Sequence, residues 1–164
     1  MSLKILHLLD HSLPLHSGYS FRTLAILREQ HALGWQTLHL TTPKQGAGEQ
    51  LEEEASGLRF LRTPSPAGVG LIQQMRLTAQ RLREVCEREQ PDLIHAHSPV
   101  LNALPALWVR RGLNIPVVYE MRASWEDAAV DHGSTKEGSL RYQVSRALES
   151  FALKRADQVT TICE

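Results

Sequence analysis

The sequence predicts an α/β fold: an open, mainly parallel sheet with helices on both faces. Three observations carry this. The short runs Leu3–Leu9 and Ile115–Tyr119 are apolar at nearly every position, as in strands buried on both sides. Longer segments place apolar residues three and four apart, along one helix face. The two kinds of segment alternate, which is the pattern of parallel βαβ units joined by right-handed crossovers.

Each element follows in order. Leu3–Leu9 is a buried first strand, and Asp10–Gly18, with Pro14, is a loop. Tyr19–Leu33 reads as a helix stopped by Gly34. Trp35–Thr41 is a strand, Pro43–Glu49 a polar loop, and Leu58–Arg62 a short strand closed by Pro64 and Pro66. From Leu71, Ile72, Met75, Ala79, Leu82 and Cys86 mark an apolar helix face, and Pro91 stops the helix. Arg76, Arg81, Arg83 and Arg88 read as its solvated face, with contact to anionic lipid headgroups as the alternative. Asp92–His97 is the next strand, and a helix runs from Val100 to Arg111, before Gly112. Ile115–Tyr119 is followed by a polar stretch from Arg122 to Gly138, with a short helix after Ser124. Leu140, Val144, Ala147 and Phe151 mark a last helix face, and Asp157–Ile162 a last strand. A strand that ends at Glu164 without a closing helix suggests a piece of a longer protein.

Composition narrows the function classes. At 164 residues, 42% hydrophobic and 22% charged, the chain suits one globular domain, residues 1–164. Eighteen basic residues balance eighteen acidic ones, so a nucleic-acid partner is not expected. Two cysteines form no disulfide framework, which fits a reducing, cytoplasmic compartment. The apolar run Ile5–Leu9, interrupted by His7, is too short for a signal peptide or a membrane span.

In open α/β sheets ligands bind at the carboxyl ends of the strands. That rule selects Asp10–Gly18, then His97, Ser98 and Pro99, then Glu120, Arg122, Ser124, Trp125, Glu126 and Asp127, and finally Cys163 and Glu164. The first loop has neither a GxGxxG fingerprint nor a P-loop. Ser17-Gly18 at the helix start is either a plain cap or an anion site built from backbone N–H groups. His95 and His97 share a strand face. A metal would need further ligands, with Glu126, Asp131 and His132 as candidates of unfixed geometry, so no metal is expected. His97, last in its strand, is expected to face the ligand cleft. Glu126, Asp127, Asp131 and His132 suit acid/base work or sugar-hydroxyl recognition; a solvated loop capped by Ser134 and Glu137 is the alternative.

The order of motifs resembles a known family. KILHLLD, the loop through Ser17-Gly18, PDLIHAHSP, IPVVYEMR and RADQVTTICE are similar, in order and interval, to the N-terminal half of GT-B glycosyltransferases of family 4, the retaining "group 1" class. The block YEMRASWEDAAVDHGSTKEGSLRY resembles a bacterial subgroup associated with exopolysaccharide and exosortase-linked gene clusters. The resemblance implies a Rossmann-like, acceptor-side domain. A C-terminal domain carrying an E-x7-E motif, absent from this chain, would bind the nucleotide-sugar. It implies no cofactor beyond the donor substrate, and a carbohydrate or lipid-linked acceptor. Peripheral contact with the inner membrane face would follow from a lipid-linked acceptor.

By this resemblance Arg122, Glu126 and Asp127 are the catalytic candidates. Ser17, Gly18, His97, Ser98 and His132 would contact donor phosphate or substrate. Arg122 stands where many family members have a histidine. A guanidinium stays charged and has no acceptor atom, so it does not serve as a general base. A free-standing α/β binding module, or a sugar epimerase of the same fold, are the competing expectations.

Overall fold

The computed structural model describes residues 2–46, 49–122 and 139–162. Its strands are β1 (Lys4–Leu9), β2 (Gln36–Thr41), β3 (Glu52–Ala55), β4 (Leu58–Arg62), β5 (Leu93–His97), β6 (Val117–Met121) and β7 (Gln158–Thr161). Its α-helices are α1 (Gly18–Ala32), α2 (Leu71–Glu89), α3 (Val100–Leu113) and α4 (Leu140–Arg155). The strands form one sheet in the order β3-β4-β2-β1-β5-β6-β7. All pairings are parallel except β3 with β4. The α/β class and the open, mainly parallel, Rossmann-like sheet are as expected.

The two faces of the sheet differ in chemistry. One carries Leu6, Leu8, Leu40, Leu61, Ile94, Ala96, Val117 and Tyr119, all buried. These pack with Leu82, Val85 and Cys86 of α2, with the apolar side of α3, and with Ala152 of α4. This is the main core. The other face lies under α1. Register brings His39, His7 and His95 into one row across β2, β1 and β5, with His97 and Glu120 paired one pleat further on. The buried side of α1 is partly polar, with Ser20 and Thr23 beside Leu27.

Three expectations change. The strand β3 was not foreseen, because Glu52, Glu53 and Glu54 carry no apolar signal. It holds to β4 through ion pairs, Glu52 with Arg59 and Glu53 with Arg62. A charged strand at the edge also discourages pairing with other chains. Arg81 is not on a solvated face: it is 8% exposed and donates to the Arg62 carbonyl. Finally, α4 turns inward with Glu149 and Ala152, because the Tyr119 hydroxyl donates to Glu149. The expected apolar stripe faces outward, with Leu140 78% and Val144 50% exposed.

This layering gives a stability contrast. Leu8→Ala, on the apolar face, should cost about 2–5 kcal/mol in urea unfolding. Phe21→Ala, on the exposed side of α1, should change stability by less than about 0.5 kcal/mol. Equal costs for the two would contradict the assignment of faces.

Candidate functional site

The site is built where β1, β5 and β6 end beneath the start of α1. Ser17 caps α1, its hydroxyl accepting from the Ser20 amide. His11 reaches the same hydroxyl from the preceding loop at 2.8 Å. The amides of Gly18 and Tyr19 have no partner among the described residues. A Cβ added at Gly18 would meet nothing within 4 Å, and its φ is not left-handed. Neither packing nor backbone strain therefore requires glycine there, and the space over the first turn is open.

Glu120 lies at the centre. It is 3% exposed, and its Oε1 accepts from Arg22 of α1, Nε at 3.2 Å and Nη2 at 3.0 Å. Its Oε2 accepts from Arg122 Nε at 3.0 Å and lies 2.5 Å from His97 Nδ1. Arg122 also sits on the first turn of α1. It donates to the Tyr19 carbonyl and the Thr23 hydroxyl, and its guanidinium lies 4.3 Å over the Tyr19 ring. Its backbone amide donates to the Ser98 hydroxyl.

Proton positions follow from these contacts. Arg122 Nη2 is also 2.6 Å from His97 Nδ1, but a bare lone pair there would oppose the carboxylate oxygen at 2.5 Å. His97 Nδ1–H therefore donates to Glu120. On the far side, His97 Nε2 faces His7 Nδ1 at 2.8 Å, and His7 Nε2 lies 2.8 Å from the Gln30 side-chain oxygen.

Burial sets the charge states. It alone would raise the Glu120 carboxyl. The hydrogen bond from His97 and the charges of Arg122 and Arg22 reverse that and hold it well below the usual carboxylate range. Burial lowers His97 to about 4, against the hydrogen bond to Glu120, and lowers His39 to about 4. Burial, then neighbouring imidazoles, lowers His7 and His95 too. Two guanidiniums face one carboxylate among neutral imidazoles, so this cluster carries one net positive charge.

The expected site residues thus divide. Ser17, Gly18, His97, Ser98 and Arg122 come together around the end of the sheet. His97 is fully buried beneath α1 and does not line an open cleft. Glu126, Asp127 and His132 lie outside the described residues. The sequence reading missed His7, Arg22 and Thr23. A polar residue interrupting each of three neighbouring strands at matched register, His39, His7 and His95, was the available signal.

A parallel sheet whose carboxyl edge gathers an open helix start and paired charges defines an open α/β domain with its candidate site at that edge. Residues 17–164 match the glycosyl transferase 4-like domain, and the chain belongs to that family. No relative was found among curated proteins. Solved structures share the fold. Sucrose-phosphate synthase from Thermosynechococcus elongatus superposes with a TM-score of 0.69 at 16% identity, covering 96% of this chain and 41% of that one. MurG from Acinetobacter baumannii gives 0.58 at 13%, covering 99% and 42%. UDP-N-acetylglucosamine 2-epimerase from Rickettsia bellii gives 0.61 at 11%, covering 100% and 40%. The chain thus spans less than half the length of these structures.

The buried imidazoles generate a pH prediction. Their folded pKa values lie below the unfolded value of about 6.5. The native state excludes protons that the unfolded chain accepts. The stability is fully present above about pH 6.5 and is lost as the pH falls toward 4. The shift at His39 alone corresponds to roughly 3 kcal/mol. The urea midpoint should stay level from about pH 8 to 7 and fall from about 6.5 to 4.5, less steeply in His39→Gln. A midpoint level across the whole range would contradict this.

Proposed function

We propose that this domain is the acceptor-side half of a retaining GT-B glycosyltransferase. The complete enzyme moves a sugar from a nucleotide-sugar to a carbohydrate or lipid-linked acceptor during bacterial exopolysaccharide synthesis. The carrying observation is the net positive cluster of Arg22, Arg122 and Glu120 against the open first turn of α1. Fixed positive charge and free backbone N–H groups suit the charge that develops on a departing phosphate. Catalysis in this reading is positioning and electrostatics, and needs no metal at the reacting atoms.

The residues take distinct roles. The amides of Gly18 and Tyr19 approach the donor phosphates, with Ser17 shaping the turn. Arg122 supplies charge and does not act as a base. Its remaining donors are engaged with Thr23 and Tyr19, which fixes the guanidinium in place. Glu126, Asp127 and His132 are proposed to orient sugar hydroxyls. The nucleotide is proposed to sit mainly on a second domain, so these 164 residues alone are inactive. The enzyme works in the cytoplasm, at the inner membrane face when its acceptor is lipid-linked.

An epimerase acting on a nucleotide-sugar is the second reading, supported by the fold shared with the 2-epimerase. The family match favours transfer. Incubating the complete enzyme with nucleotide-sugar and acceptor separates the two. Transfer yields free nucleotide and an extended acceptor, whereas epimerisation yields an isomeric donor without acceptor.

Two variants of the complete enzyme test the site. Gly18→Ala should fold with unchanged or slightly higher stability, by up to about 1 kcal/mol, because the added methyl meets no atom. It should raise the donor KM at least tenfold. Arg122→Ala should remain folded by circular dichroism and lower turnover by about a hundredfold, as for loss of a fixed transition-state donor. Unchanged kinetics in both variants would remove this edge from the reaction.

A further inference from the structure

We propose that His7, His95 and His97 form a buried site for a divalent transition metal of the zinc type, joining β1 to β5 beneath α1. The argument is independent of the transferase reading. The three rings each offer a nitrogen, and those nitrogens lie within 4.8 Å of one another. Register makes the cluster: His7 pairs with His95 across β1 and β5, and His97 is one pleat further along the same face.

The outer nitrogens are already committed to acceptors. His97 Nδ1–H donates to Glu120, and His7 Nε2–H donates to the Gln30 side-chain oxygen at 2.8 Å. Each ring then turns a lone pair inward, and the two inner nitrogens, His7 Nδ1 and His97 Nε2, face each other at 2.8 Å. With Gln30 presenting its oxygen, a cation between the two nitrogens relieves this contact; with the amide turned, His7 Nδ1–H donates to His97 Nε2 as a neutral hydrogen bond. A shared proton would satisfy two nitrogens only. The third, His95 Nε2, is buried and has no hydrogen-bond partner. A metal satisfies all three.

The surroundings fit that occupant. Imidazole nitrogens suit zinc and its neighbours, and a ligating histidine ordinarily donates its other N–H to a carboxylate or carbonyl. Glu120 and Gln30 supply those outer acceptors. Tetrahedral zinc, with bonds of about 2.0–2.1 Å, sets its nitrogens about 3.3 Å apart. His7 and His97 need to separate by about half an ångström, and the widest pair of the three nitrogens, within 4.8 Å now, needs to close by up to about 1.5 Å. His95 is 13% exposed at its side chain, although its Nε2 atom is buried. The opposing force is the one net positive charge that Arg22 and Arg122 leave over Glu120. The metal would tie the central strands together and touch no substrate.

The test uses the full chain, stripped with chelator and dialysed, with cobalt(II) as the probe. One equivalent should bind with the visible absorption of a four-coordinate nitrogen site, and zinc should displace it. Zinc should raise the thermal midpoint of the stripped protein. His95→Ala should weaken cobalt binding at least tenfold while keeping its circular dichroism, and Glu120→Gln should weaken it about 10–100-fold. Imidazole 15N shifts of the unmodified chain should move at all three histidines when zinc is added, which tests the site without any variant. No four-coordinate spectrum, or binding that His95→Ala leaves unchanged, overturns the proposal. So do 15N shifts confined to exposed histidines such as His16 and His31.

Discussion

The buried carboxylate of Glu120 is the point on which one side of this fold depends. It lies near the end of β6 and receives Arg22 from α1, His97 from β5 and Arg122 from just beyond its own strand. A charge so enclosed is tolerable only while its partners stay in place; breaking such a pair typically costs about 3–5 kcal/mol. That constraint holds α1 at a fixed height over the sheet. Because Arg122 grips the Tyr19 carbonyl and the Thr23 hydroxyl, the same carboxylate also positions the first turn of α1. Placing Gly18 and placing Arg122 are one problem with one solution.

The sheet accordingly has two sides with different work. The side under α2, α3 and α4 is a continuous apolar core. The side under α1 is a row of imidazoles with the Glu120 cluster at its end, flanked by a small apolar group around Leu9, Leu13 and Phe60. Polar groups so buried contribute little net stability, but each must be matched in direction as well as distance. The helix above them is bound by specific hydrogen bonds more than by area. A polar layer of this kind fixes geometry more than it adds stability.

The sequence displayed most of the framework because burial on both faces makes the inner strands read as apolar runs. It hid β3, where three successive glutamates are held by arginines across the sheet edge. It also misdirected α4, whose buried Glu149 reads as a surface residue until Tyr119 is placed beside it. At the site, the strand-end rule found His97, Ser98, Glu120 and Arg122 from position alone. It had no access to Arg22 or His7. Arg22 lies 98 residues from its partner Glu120, and His7 lies 90 residues from His97. Nothing local marks Arg22, and His7 shows only as a polar break in an apolar strand; its partner His97 is brought to it by the parallel register of β1 and β5.

The account stands or falls on whether Glu120 anchors α1. Hydrogen exchange of Glu120→Gln against the unmodified chain is the most direct measurement. The amide keeps the size of the carboxylate and removes the charge that both guanidiniums share. Protection should fall across residues 18–32 while residues 71–89 and 100–113 exchange as before. Unchanged exchange in α1, or an equal loss in all three helices, would show that α1 is held by other forces and that Glu120 does not organise this edge of the sheet.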